Sequence, residues 1–387
     1  MKKTFVKVLV LCLALCMVAS SFIACNNNKN DAEGSIVIGL SGPLTGGAAV
    51  YGMAVKNAAE MAIAEINANG GLNGVPFKLI ALDDQHDASK VEANYANMVD
   101  QGMQVALGCV TTNPCLEFAT LSKADNIFFL TPSASANAVA KEDNAYQMCF
   151  ADGNQGTVAA EYVNSLSYNK IGIFYKSDDN YSKGIYDQFK ATLKEGIETV
   201  EATFTGDATD FATQISILKD CEFIFMPIYY TPASNFMLQA KGKVADNAIY
   251  YGCDGFDGIE SAEGFDITTI PQKISMLSHF NSKATEGKAA EFITKYTEKY
   301  GADTLNQFGA SAYDCVYAIY NAMLAAINNG ATIDASTEAS ELCEILKGQF
   351  NGGFKYSGAT GTDIQWESNG YVKKGAIAYV IKDADAQ

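Results

Sequence analysis

The sequence predicts an α/β protein built as two Rossmann-like lobes with parallel sheets, and three observations carry that prediction. Strand and helix patterns alternate from Ser35 onward, the arrangement that gives parallel sheets covered on both faces. The alternation runs to Asp152-Gly153 and then restarts, and each run is too long for one βαβ unit. The 387 residues are enough for two domains, and 48% of them are hydrophobic, which can fill two cores.

The elements follow from pattern and punctuation. SIVIGL reads as a strand. Residues Ala49–Asn69 form a helix, with Val55, Ala58, Ala62 and Ile66 on one face and Gly70-Gly71 as its stop. PFKLIALD is a strand, Ser89–Asp100 a helix, QVALGCV a strand, Pro114–Lys123 a helix and NIFFLTP a strand. After the restart, Thr157–Leu166 is a helix and KIGIFY a strand. Residues Tyr181–Glu195 are helical, since Ile185, Phe189 and Leu193 recur every four residues. ETVEATF, CEFIFMPI and NAIYYG are strands, separated by helices over Phe211–Lys219 and Pro232–Lys241. KISMLS precedes long helical segments at Thr285–Tyr300 and Asn306–Asn329, and YVIKD is a last strand.

The N-terminus carries an address. MKKTFVK is a basic segment, and VLVLCLALCMVAS is an apolar run shorter than a comfortable membrane span. Phe22-Ile23-Ala24-Cys25 then resembles a bacterial lipobox, which implies cleavage before Cys25 and lipidation of its sulfur. The other reading is an ordinary signal peptide. Expected boundaries are a signal at residues 1–24 and a lipidated tether at 25–34. Two acyl chains suffice for stable anchoring, and no later run of 18 apolar residues is present. The protein is expected to be extracytoplasmic, held to the cell membrane through Cys25.

The formal net charge is −17, and every basic residue is lysine. Nucleic-acid binding needs a basic footprint, so that class is set aside. Seven cysteines remain after Cys25: Cys109, Cys115, Cys149, Cys221, Cys253, Cys315 and Cys343. The number is odd, no CxxC pair occurs, and most lie within apolar patterns, so they read as small buried hydrophobes.

Ligands of open α/β sheets bind beyond the carboxyl ends of the strands, so the turns there are the informative residues. In CVTTNP, Asn113 suits an N-cap and Pro114 the first helical position. The free N–H groups of that helix start, with the Thr111 and Thr112 hydroxyls, could hold one carboxylate. Without arginine no bidentate clamp is available. The same residues could serve only as a cap. TPSAS supplies Ser133 and Ser135 beyond another strand, with carbonyls and hydroxyls able to receive an ammonium, or it is a proline-initiated turn. In GCDGFDG, Asp254 or Asp257 could pair an ammonium, or both could be turn residues. Tyr51, Tyr181, Tyr229 and Phe308 could wall a pocket.

Enzyme signatures are weak. His86 and His279 lie far apart, and no GxSxG, HExxH, Walker A or GxGxxG occurs. DDQHD reads better as capping and solvation than as a metal site, and SDDNYSKG lacks EF-hand spacing. No catalytic residue, metal or cofactor is expected.

Together the segments SGPLTGGAAVYG through DDQHDASK, LGCVTTN, FLTPSAS, YKSDDNYSKG and YYGCDG resemble the leucine/isoleucine/valine-binding proteins. These are solute receptors of ATP-driven (ABC) importers, with the type I periplasmic-binding fold. The resemblance covers nearly all of Ser35–Asp383, in order and spacing. It implies two lobes joined by three crossovers, with the solute between them: residues 35–153 plus 280–355 as the first lobe and 154–279 plus 356–387 as the second. It implies that Thr112 binds an α-carboxylate beside the backbone of Thr111 and Asn113. Ser133 would receive the α-ammonium through its carbonyl, Ser135 would hold both groups, and Ala134 lies between them. Asp254 falls where an acid receives the ammonium. Tyr51, Val110, Tyr181, Tyr229 and Phe308 fall at the side-chain pocket and lid. The acid is one methylene shorter than in the best-known members. Some members have a cysteine in the DD-x-x-D turn, here His86, disulfide-bonded to a position that is here Thr111. The implied partners are a permease and an ATPase, and a monomer is expected. The implied solute is a small hydrophobic amino acid. Alternatives are an amide, a urea-like solute or an aromatic carboxylate, or, from another class, an exported hydrolase using Cys109 or Cys115.

Overall fold

The computed structural model describes residues 34–372 and 374–384. Cys25 and the tether expected around it lie outside the described residues. In chain order the first half comprises β1 (Ile36–Gly42), α1 (Ala49–Ala68), β2 (Phe77–Asp83), α2 (Val91–Asp100), β3 (Val105–Cys109), α3 (Thr112–Ala124), β4 (Phe129–Thr131) and β5 (Ala145–Gln147). The second comprises α4 (Asp152–Ser165), β6 (Lys170–Lys176), α5 (Asn180–Thr192), β7 (Glu198–Phe204), α6 (Ala212–Leu218), β8 (Phe223–Met226), α7 (Tyr230–Ala240), β9 (Ile249–Gly252) and β10 (Lys273–Ser278). The chain then adds α8 (Gly287–Tyr300), α9 (Gln307–Asn328), α10 (Ala339–Asn351), β11 (Tyr356–Gly358), β12 (Gly361–Ile364) and β13 (Ile377–Lys382).

Two sheets form. The first has order β2-β1-β3-β4-β5, and all its pairs are parallel. The second has order β13-β10-β9-β8-β6-β7, parallel except for the edge strand β13. The central strands β1, β3 and β8 are buried along their whole length, as strands covered on both faces must be. In each sheet the strand order reverses beside an inner strand, β1 in one and β6 in the other, and that reversal opens a crevice at the carboxyl ends. A bulge interrupts β3. The register against β1 slips between Gly39 and Leu40, and Gly108 takes φ +65. A Cβ there would lie 2.8 Å from the Phe129 ring, so glycine is required.

The chain passes between the lobes three times, after β5, after β10 and before β13. The helices α8 and α9 return to the first lobe. There Glu65 of α1 accepts from Tyr313 (2.6 Å) and Tyr317 (2.8 Å) of α9 and pairs with Lys295 of α8 (3.1 Å). The division expected at residue 355 differs from the one observed. Buried Asp314 of α9 accepts from Tyr356 Oη (3.0 Å), the Ala359 N–H (2.8 Å), and the Thr360 N–H (2.7 Å) and Oγ1 (2.6 Å). Trp366 Nε1 donates to Gln147 O of β5 (2.8 Å) and its ring packs on Phe350. These bonds hold residues 356–372 against the first lobe, and only β13 joins the second. The hairpin strands and β5 are too short for their alternation to stand out in the sequence.

Candidate ligand-binding site

Tyr51, Val110, Thr112, Ser133, Ser135, Tyr181, Tyr229, Asp254, Gly255 and Phe308 surround one cavity between the lobes. The residues expected from the sequence to hold the solute line it, except Thr111, Asn113, Ala134 and the alternative acid Asp257. The Ala134 carbonyl is occupied by Gln147 Nε2 (2.8 Å) and its N–H by Thr131 Oγ1 (3.1 Å). The Thr111 hydroxyl turns away to His86 Nδ1, 2.9 Å distant. Gly255 was the wall residue missed. A Cβ on it would sit 2.7 Å from both Tyr181 Oη and Ile228 O, so the turn after β9 closes only on glycine.

The first lobe supplies donors. Helix α3 begins at Thr112, with Thr111 as N-cap and no side chain capping it. This corrects the expected cap at Asn113. That side chain instead crosses the cleft, donating to Asp179 Oδ2 (3.1 Å) and accepting from Asn180 Nδ2 (2.8 Å). Pro114 is then the third helical residue, still within the turn that needs no N–H partner. The start of α3 therefore faces the cavity with its positive dipole end, and Thr112 Oγ1 is buried with no protein partner. Ser133 and Ser135 follow β4, fixed by Thr131 Oγ1, which accepts from the Ser133 N–H (3.3 Å).

The second lobe supplies an acid and rings. Asp254 is 1% exposed, and its Oδ1 accepts from Tyr181 Oη (2.7 Å) while Oδ2 has no protein partner. Burial pushes its carboxyl up to about 7, against the hydrogen bonds from Tyr181, Gln155 and Gly255. Asp257, the other acid of this turn, accepts from the Gln307 N–H at the start of α9 (2.8 Å), a bond from the second lobe to the first. A third acid, Asp152 at the start of α4, is buried with Oδ2 unpartnered; burial, then the nearby Asp254, raise it well above the ordinary range. Its only signal in the sequence was the Asp-Gly pair that marks the restart.

Aromatic rings close the cavity. Tyr181 and Tyr229 stack at 4.5 Å, and Tyr51 meets Phe308 edge-on at 5.0 Å. Tyr51 Oη donates to Gly255 O (2.6 Å) and accepts from the Tyr230 N–H (3.2 Å), so a first-lobe side chain is bonded to the second lobe. The lobes are closed, and about 10 Å³ of free space remains, room for one water. Size alone would point elsewhere. A hollow of about 440 Å³ lies between Met103, Asp125 and Ser336. Its buried Gln104, however, is committed to the Val37 N–H (3.1 Å) and Thr337 O (2.7 Å).

All seven cysteines within the described residues are buried and free. Burial raises the Cys109 thiol well above its ordinary value, the reverse of what a nucleophile needs. Among the described residues no cluster of side chains could hold a metal ion, and no helix is long and apolar enough to cross a membrane.

Comparison with known proteins agrees with this architecture. The chain is 30% identical over 235 residues to the Leu/Ile/Val-binding protein BraC3 of Rhizobium johnstonii, covering 59% of this chain and 64% of that protein. Its fold matches the branched-chain amino acid transporter substrate-binding protein LivJ of Streptococcus pneumoniae, solved with isoleucine. That match has a TM-score of 0.77 and 24% identity, and covers 90% of this chain and 99% of the other. It also matches a solute-binding protein of an ABC transporter from R. palustris solved with benzoate, with TM-score 0.76, 15% identity and coverage of 91% and 94%. The model of the periplasmic binding protein family matches residues 35–374, and the chain belongs to that family.

Proposed function

We propose that this protein is the extracytoplasmic substrate-binding component of an ABC importer and captures an amino acid with an aliphatic side chain between its lobes. One observation carries the reading. Of the polar atoms facing the cavity, a hydroxyl at a helix N-terminus, Thr112 Oγ1, and a carboxylate oxygen, Asp254 Oδ2, are both buried and without protein partners. Buried polar groups are normally satisfied. A donor cluster in one lobe and an acid in the other match the carboxylate and ammonium of a zwitterion. A plain aromatic carboxylate, the ligand class of the R. palustris protein, would leave Asp254 unmatched.

Capture would work by hinge closure with no bond made or broken. The open form exposes the α3 start and the Ser133–Ser135 turn. A solute held there would complete the Asp254 environment as the second lobe arrives. The closed cavity is small, so short side chains need the least displacement of Tyr51 and Phe308. The closed form would then engage a permease and its ATPase. Cys25 would tether the receptor to the membrane, and the receptor would act as a monomer.

Thermal unfolding of residues 35–387 against amino acids, amides and aromatic acids tests the ligand class. A ligand at about 100 times its Kd adds roughly 2.7 kcal/mol. Shifts with alanine- to leucine-sized amino acids, absent for the corresponding amines, are expected. A shift with benzoate or an amide and none with any amino acid would overturn the reading.

A further inference from the structure

The turn after β2 contributes no residue to the cavity lining. Gln85 and His86 both hold left-handed backbone, φ 54 and 62, which residues other than glycine adopt uncommonly. Acids just before them fix it: the Gln85 N–H donates to Asp83 Oδ1 (3.0 Å) and the His86 N–H to Asp84 Oδ1 (2.9 Å). The turn thereby aims one imidazole in two directions. Its Nδ1 lies 2.9 Å from Thr111 Oγ1, the N-cap hydroxyl of α3, which makes no capping bond. Its ring meets Tyr229 of the opposite lobe edge-on, centroids 5.2 Å apart at 83°. Tyr229 in turn stacks on Tyr181, the donor to Asp254. One side chain therefore touches both the turn that presents Thr112 and the aromatic wall that carries the acid.

We propose that His86 is a positioning residue for ligand capture, which fixes the carboxylate-binding turn through Thr111 and engages Tyr229 as the lobes close. The inference rests on the binding reading above. The hydrogen bond to Thr111 ties two turns of one lobe, and its imidazole partner titrates.

The groups facing it set the sign. Asp87 and Asp84 belong to its own turn, Asp179 and Lys176 come from the second lobe beside α5, and Asp207 from the loop after β7. Burial comes first and lowers the imidazole below its ordinary value, with Asp179 opposing. Closure therefore favours the neutral ring. Its contribution to closure is present above the ordinary imidazole value and is lost as pH falls from there through the lowered value of the closed form.

The test is calorimetric titration of the protein with L-alanine and L-leucine between about pH 5.5 and 8. His86→Ala is expected to weaken binding about tenfold near neutral pH, the scale of one lost hydrogen bond with its packing. His86→Asn keeps a polar group near the Nδ1 position, so it should recover most of the affinity while removing only the share of the pH dependence that His86 adds to that of Asp254. Unchanged affinity and pH profile in His86→Ala would overturn the proposal. If neither amino acid binds the unsubstituted protein, the ligand reading fails instead, and the tie is tested without ligand. The chain has two histidines, so ¹⁵N spectra resolve them. Thr111→Val should move the ring nitrogen signals of one, and an unchanged spectrum would remove the tie.

Discussion

Two turns on opposite sides of the cleft each present a pair of like residues, and in each the pair divides its work. In the first lobe Thr111 bonds His86 while Thr112 keeps a free hydroxyl. In the second, Asp257 takes the Gln307 N–H while Asp254 keeps a free carboxylate oxygen. One member of each pair is satisfied by the fold, and the other faces the cavity without a protein partner. Residue type at a turn therefore does not separate the two members; their partners in the fold and their place at the cavity do.

The sharpest way to break this comparison is at Asp254. Asp254→Asn should weaken amino-acid binding about a hundredfold, the scale of removing a buried charge from its partner, measured by calorimetry. The same substitution at Asp257 should change affinity by no more than about threefold, since asparagine can still accept from Gln307. Equal losses at both would dissolve the distinction between them.

The ligand-free protein gives a second handle on the same acid. Burial raises Asp254 from 3.8 to about 7. Its contribution to folding is therefore full below the unfolded value and is lost as pH rises toward 7. Above pH 7 a buried charge remains, so Asp254→Asn should raise ligand-free stability there by roughly 2 kcal/mol while abolishing the ligand-induced shift. Denaturant melts at pH 8 measure it, and a destabilised variant would mean that the acid supports the fold rather than the ligand.

Smaller effects sharpen the first-lobe side. Thr112→Val should weaken binding about tenfold and Thr112→Ser should restore it, as expected for one hydrogen bond to a charged group. Tyr51→Phe removes the hydroxyl shared by Gly255 O and the Tyr230 N–H. It should weaken binding about threefold to tenfold through closure, with faster ligand release in stopped-flow measurements.

Much of this was legible in the sequence for a physical reason. Long buried strands such as IVIGLSG and amphipathic helices carry periodicity that survives any tertiary context. Turns beyond them are bounded by glycine and proline, so Thr112, Ser133, Ser135 and Asp254 could be singled out. What was hidden depends on distant partners. The hairpin at 356–364 belongs to the first lobe because Asp314 receives four hydrogen bonds from it. No local pattern announces that. Nor does any announce that the Asn113 side chain crosses the cleft to Asp179, that the Ala134 carbonyl is taken by Gln147, or that Asp152 is buried beside Asp254.

The most direct measurement compares three molecules of one shape in calorimetry: leucine, the amine lacking its carboxylate and the acid lacking its ammonium. Binding of leucine alone is expected, because Thr112 and Asp254 each need their counterpart. Binding of the acid as tightly as leucine would contradict it.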